Sequence, residues 1–307
     1  MAASFSTLTT RAVAASLDKM PSDQIAALPA SVRQKIITEA AAAKTLTDDA
    51  LRHLGGGHTE LSLRGSRVTD RGLGLAITAA NSSKLVQLDL SHCTRLRDAG
   101  IIALVQRIGP QLRSLDVSHC RLSDAAFEAI ATCCGSSLKS LDCSWNGSGV
   151  GERTVHALAK HCGELESLAL CGCRARDDSL IKLACACPKL AKLNTRGCEA
   201  LSEAGIVAAL CTLPRIRKLD LCQIHKLSEP SVHVLLGARA AAPFACTRST
   251  HSKMHAHAFL SSLTILFVLL LWQPAPTTSR PSTSRCAPGS ATIVSHARPP
   301  ASLTSTP

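Results

Sequence analysis

Apolar residues alternate with polar ones over short stretches of this chain, and those stretches return every 25–27 residues. The segments beginning at Leu85 (LVQLDLSHC), Leu112 (LRSLDVSHC), Leu138 (LKSLDCSWN), Leu165 (LESLALCGC), Leu190 (LAKLNTRGC) and Ile216 (IRKLDLCQI) align without gaps, and His58 (HTELSLRGS) opens a weaker copy. Leucines at positions 1, 4 and 6 give a period of two, which predicts a short strand buried on one face. A second signal follows each strand: VTDRGL at 68–73, LRDAGI at 96–101, LSDAAF at 122–127, VGERTV at 150–155, ARDDSL at 175–180, LSEAGI at 201–206 and LSEPSV at 227–232. An acid recurs in all of them, and Thr69, Ser123, Ser202 and Ser228 precede four of those acids. A hydroxyl cap before an acidic first turn predicts a helix start. Apolar pairs at helical spacing follow, such as Ile101 with Leu104 and Leu180 with Leu183.

A strand-plus-helix unit repeated about seven times is too short to bury its own apolar faces, so neighbouring copies must stack on one another. The helix signal also occurs at 46–54 without a repeat strand before it. The expected organisation is therefore a flexible N-terminus at 1–16, a helical cap at 17–57, repeats at 58–236 and a low-complexity tail at 237–307. Inside that tail an apolar segment at 259–272 has the length of about 21 Å as a helix, against ~30 Å for a hydrocarbon core. It is read as a marginal tail anchor, as a cap on the last repeat, or as part of an extension without selected structure.

This pattern resembles the cysteine-containing leucine-rich-repeat family, within the ribonuclease-inhibitor-like superfamily that includes F-box/LRR proteins. The resemblance implies an α/β leucine-rich-repeat solenoid, a horseshoe with parallel concave strands and convex helices. It implies that position 9, which is Cys93, Cys120, Asn146, Cys173 and Cys198 in five copies, forms an inward structural ladder at the strand ends. In many members an F-box precedes the repeats and docks an adaptor of the cullin machinery. Leu28 and Pro29, followed by Val32, Ile36 and Ile37, look like its opening. The continuation AAAAKTLTDDALRHL departs from it and resembles the lead-in of relatives without an F-box.

Composition narrows the function. The core is aliphatic, because the chain has no Tyr, 5 Phe and 2 Trp. Its formal net charge is +12, but Arg239, Arg248, Lys253, Arg280, Arg285 and Arg298 lie in a tail with no acids, and the repeats hold neither a basic helix nor interleaved aromatics. No nucleic-acid partner is expected. The 15 cysteines include CxC at 171–173 and 185–187 and the neighbours Cys133 and Cys134, but no paired CxxC. They read as buried free thiols, not metal ligands, and no cofactor is called for. The first residues, MAASFSTLTTRAVAASLDK, lack a continuous apolar run, so a cytoplasmic or nuclear setting is expected. An organelle presequence or a tail-anchored membrane form are the alternatives. There is no GxSxG, HExxH or phosphate-binding glycine loop, so the expected role is binding and not catalysis.

Positions 3, 5, 7 and 8 of each copy are expected to face the concave groove. Position 5 is Asp89, Asp116 and Asp142 in consecutive copies, and position 8 is His92, His119 and Trp145 in the same copies. With strands roughly 5 Å apart these six side chains would make one patch, with Trp145 as its anchor. Arg196, Lys192 and Lys218 make the later copies basic. The patch is read either as a protein-binding surface or as solvated residues that the repeat sets in columns. The wider reading is a protein-interaction module, with substrate recognition for an SCF-type ubiquitin ligase implied by the resemblance and a structural or signalling scaffold as the alternative.

Overall fold

Each alternating stretch closes into a three-residue strand: β1 (Glu60–Ser62), β2 (Gln87–Asp89), β3 (Ser114–Asp116), β4 (Ser140–Asp142), β5 (Ser167–Ala169), β6 (Lys192–Asn194) and β7 (Lys218–Asp220). The computed structural model describes residues 12–14, 22–77, 84–224 and 245–247, all of them inside a unit that runs Met1–His255. The strands pair in parallel and in strict chain order. The register is set by the repeat itself: Leu61 lies opposite Leu88, Leu88 opposite Leu115, and so on to Leu193 opposite Leu219. A slip of one residue would turn every one of these leucines out to solvent.

The helices form the opposite layer: α4 (Asp70–Ile77), α5 (Asp98–Ile108), α6 (Asp124–Cys134), α7 (Glu152–His161), α8 (Asp177–Ala186) and α9 (Glu203–Thr212). Each begins at the acid of its sequence signal. Ser123 and Ser202 cap α6 and α9 by accepting the backbone N–H of Ala125 and Gly205. One continuous aliphatic core lies between the layers, with the leucines of positions 1 and 4 facing Leu73, Ile101, Phe127, Val155, Leu180 and Ile206 from the helices. Burying a side chain of this size removes about 1.5–3 kcal/mol of exposure cost, and the sum over stacked copies holds the solenoid together.

In five helices the first-turn acid also reaches the next copy. Asp98 accepts the backbone N–H of Ser123 at 2.9 Å and its hydroxyl at 2.5 Å. Asp177 does the same for Ser202, at 2.8 and 2.5 Å. Asp48 accepts from Thr69, Asp70 from the backbone of Arg97, and Asp124 from Gly151 and Thr154. The carboxylate approaches so closely that a Cβ at Gly100 or Gly205 would collide with Asp70 or Asp177.

Between residue 22 and the first strand lie three helices: α1 (Ser22–Ala27), α2 (Ala30–Ala42) and α3 (Asp48–Leu54). Ile25, Ile36, Ile37, Leu51 and Leu54 join the common core. The outer edge of β1 is covered by Gln34, whose amide donates to the Ser62 carbonyl at 3.0 Å and accepts the Ser62 N–H at 3.2 Å. A side chain thus takes the place of a missing strand.

Two boundaries differ from the sequence expectation. Within 1–16, expected to be flexible, residues 12–14 are helical and Ala14 is buried in the core. Beyond 236, where the repeats were expected to stop, β8 (Ala245–Thr247) pairs in parallel with β7, Leu219 opposite Cys246. Cys246 stands where the other copies carry leucine, so the hydrophobic pattern that marks a copy is too weak there to read. The helix signal at 227–232 and the apolar segment at 259–272 lie outside the described residues. Among the described residues, no helix is long and apolar enough to cross a membrane.

Candidate functional site

Position 5 ends five of the strands with an Asx turn, in which the side-chain oxygen accepts the N–H two residues on. Asp89, Asp116 and Asp142 accept from Ser91, Ser118 and Ser144 at 2.9 Å, and Asn194 and Asp220 accept from Arg196 and Cys222 at 3.0 Å. Ser91 and Ser118 add their hydroxyls to the same Oδ1 atoms, at 2.6 and 2.7 Å. At position 7, Ser91, Ser118, Ser144 and Cys171 are buried and do not line the groove as expected. Arg64 and Arg196 are exposed at that position, and the Arg196 Nε donates to Gln223 at 3.2 Å.

Position 9 follows as a ladder of side chains pointing inward. The thiols of Cys93, Cys120 and Cys198 each donate at 3.0 Å to the carbonyl of Leu63, Leu90 or Leu170 in the preceding copy. Asn146 does the same for Val117 at 3.0 Å, and its Oδ1 also accepts the N–H groups of Cys120 and Leu122. Cys173 stands further off, 3.9 Å from the Cys143 carbonyl. Burial pushes the Cys120 and Cys198 thiols up to about 12 and raises Cys93 as well. The thirteen cysteines from Cys93 to Cys222 are all free.

Position 8 has a left-handed backbone in all seven copies. The residues are Gly65, His92, His119, Trp145, Gly172, Gly197 and Gln223, with φ between 58° and 70°. Glycine adopts this region without penalty, whereas a bulky residue loses about 1–2 kcal/mol there. Three consecutive copies nonetheless carry large rings. His92 stacks on His119 with ring centres 4.2 Å apart and planes 11° from parallel. His119 and Trp145 continue the column at 6.0 Å and 21°. The indole then lies over Gly172, where a Cβ would come within 2.7 Å of it, and its far end reaches Gly197. Trp145 is 42% exposed, and among the described residues no other large apolar side chain stands out into solvent.

The structure therefore brings Asp89, Asp116 and Asp142 into one row and His92, His119 and Trp145 into a second row on the rim beside it, where the chain leaves the strands. Arg196 lies two strands beyond Trp145, next to Gly197. The row of acids raises its own cost: burial, together with Asp142 and Asp89, moves the Asp116 carboxyl above its ordinary range even though Ser118 opposes the shift. Burial and the neighbouring His92 hold the His119 imidazole below its ordinary range. Beside Trp145 an open depression of about 870 Å³ is bounded by Arg153, Arg174, Arg176 and Glu199. Sequence reasoning missed this depression and the glycine shelf under the indole. The signal for the shelf was present, since position 8 changes to glycine in the two copies after Trp145. Among the described residues, no group of three His, Cys, Asp or Glu side chains is placed to hold a metal ion.

A family model described as "Leucine Rich repeat" matches residues 81–105 and 110–131. The chain is 35% identical over 125 residues to the "Antagonist of mitotic exit network protein 1" of Eremothecium gossypii, covering 39% of this chain and 32% of that protein. It is 28% identical over 152 residues to the protein of the same name from Candida glabrata, covering 48% of this chain and 29% of that protein. The chain thus spans about a third of the length of these curated relatives. Among solved structures, a chain of the yeast Rad7 and Elc1 complex aligns with 82% of this chain and 91% of its own, at 12% identity and a TM-score of 0.31. The leucine-rich-repeat-containing protein LegL7 of Legionella pneumophila aligns with 69% of this chain and 67% of its own, at 17% identity and a TM-score of 0.42. The repeat in the sequence, its translation into in-register parallel strands and the matched model agree: this chain folds as a leucine-rich-repeat solenoid.

Proposed function

We propose that the chain is a protein-interaction module that engages its partner through Asp89, His92, Asp116, His119, Asp142 and Trp145, with Arg196 at the edge of the contact. The observation that carries this reading is the exposed Trp145, held on a stack of rings at a backbone position where glycine would be free of strain. Large rigid aromatic side chains dominate the energetics of protein interfaces. An unfavourable backbone conformation kept for an exposed ring points to selection for the ring and not for the fold. The reading is of binding, with no catalytic step assigned.

The finer role we propose is substrate recognition for an SCF-type ubiquitin ligase, which rests on the resemblance of the repeat and of the Leu28, Pro29 lead-in to F-box/LRR proteins. The relatives' name, antagonism of a mitotic exit network, is in keeping with regulation through binding. An affinity pull-down with the full chain in cells tests both levels. Trp145→Gly is the control, because glycine is the native residue of this position in neighbouring copies. The expected result is loss of the captured partners in the variant, with a cullin and its adaptor among the proteins recovered by the parent. Capture that is equal in parent and variant overturns the Trp145 interface. Trp145-dependent capture without cullin machinery replaces the ligase role by that of a scaffold.

A further inference from the structure

The interaction reading leaves the chemistry of the partner open, and the row of acids beside Trp145 narrows it. Asp116 and Asp142 stand directly opposite each other on β3 and β4, which places them about 5 Å apart. One oxygen of each is used in its Asx turn, while the Oδ2 atoms of both accept no hydrogen bond among the described residues. Asp89 differs, because its Oδ2 accepts the Ser62 hydroxyl at 2.9 Å. The four ion pairs among the described residues join Arg71 with Asp49, Lys139 with Glu166, Arg176 with Glu152 and Lys189 with Glu164, so none neutralises this row. The chain as a whole has a formal net charge of +12, opposite in sign to this row.

Trp145 lies three residues along the chain from Asp142, hence no more than about 10 Å away. The His119 ring links the two, 6.0 Å from the indole and within electrostatic reach of both carboxylates. We propose that this surface docks a basic segment of the partner, an arginine or lysine side chain lying between the free oxygens of Asp116 and Asp142 and the exposed indole of Trp145. A guanidinium bridges two carboxylates with its forked donors and stacks its flat face on an aromatic ring. A cation within ~6 Å of an indole gains further attraction from the ring. The proposal rests on the interaction reading above and adds the sign of the partner's charge.

Full-length protein carrying Trp272→Phe leaves Trp145 as the only tryptophan, since the chain has 2. Its emission is followed during titration with hexa-arginine, and separately with hexa-glutamate. The net charge of the whole chain favours the acidic peptide, so preference for the basic one must come from a local site. The expected result is saturable, salt-sensitive quenching by hexa-arginine and none by hexa-glutamate. The Asp116→Asn, Asp142→Asn double variant is expected to bind hexa-arginine about tenfold more weakly. Asn194 makes the same Asx turn in another copy, so asparagine preserves the fold, and a melting temperature no lower than the parent's verifies it. Equal or tighter binding of hexa-glutamate overturns the proposal, as does unchanged affinity in the double variant. If Trp145→Gly abolishes cellular capture but the double variant captures the same partners, the interface stands and the basic segment falls.

Discussion

At position 8 the repeat demands a left-handed backbone, and the residue chosen records a local decision. Glycine meets the demand in three copies, histidine in two, and Trp145 and Gln223 in one each. Histidine is among the residues that tolerate this region best, but for an indole it is a true outlier. Stacking on His119 returns about 0.5–1.5 kcal/mol, comparable with the strain it offsets. The acids of position 5 show a similar tension. The native Asp116 carboxyl binds its proton more tightly than the unfolded one, because burial and its acidic neighbours penalise the anion. Between the ordinary carboxylate range and the raised value the folded chain holds more protons than the unfolded one, so stability falls as pH rises through that window. The penalty persists at neutral pH. Asp116→Asn is therefore expected to melt at the parent's temperature or above it at pH 7, with the difference fading below the ordinary carboxylate range. Thermal unfolding followed by circular dichroism at pH 7 and pH 3.5 checks this. A variant that melts lower at pH 7 would mean that the charged carboxylate stabilises the ladder. His119 contributes with the opposite sign, since its native imidazole loses its proton more readily and acidification through the ordinary histidine range removes stability.

Among the elements, the helices are joined end to end by their first-turn acids. A negative charge at a helix N-terminus is favourable in its own right. Here the carboxylate also satisfies N–H groups at the start of the next helix, which would otherwise lack partners. Asp98→Ala removes both bonds to Ser123, one to its backbone and one to its hydroxyl. The expected loss is about 1–2 kcal/mol, with Asp98→Asn keeping an acceptor and losing less. Urea unfolding with an unchanged m-value measures it. Equal stability of parent and Asp98→Ala would assign the recurring acid to its own helix alone. The Gly at the third helical residue of α4, α5 and α9 belongs to the same device, because a Cβ there would collide with the incoming carboxylate of Asp48, Asp70 or Asp177.

For the whole molecule, stability is passed from neighbour to neighbour, so the two ends of the described ladder carry the risk of exposed edges. Gln34 closes the β1 edge with both groups of its amide. At the other end β8 covers β7. A chain cut after residue 236 is expected to melt lower and to scatter more light at high concentration than one cut after residue 255, because β7 and its buried Leu219 and Leu221 lose their cover. Light scattering and thermal melts of the two truncations decide it. Identical behaviour would mean that β8 contributes nothing to the edge.

The sequence alone determines the period, the element types and the alternation that buries positions 4 and 6, because these follow from local spacing of apolar residues and from helix-start chemistry. The helix starts at Asp70, Asp98, Asp124, Glu152, Asp177 and Glu203 were all legible for that reason. So was the presence of acids and rings in matching copies. The tertiary structure alone decided that Ser91, Ser118 and Ser144 turn inward, that position 8 is left-handed, and that His92, His119 and Trp145 stack over a glycine shelf. It alone decided that Asp48, Asp70, Asp98, Asp124 and Asp177 serve the following copy. These features depend on the turn leaving the strand and on contacts between residues 25–27 positions apart, and a pattern read within one copy holds no information about the distance to the next.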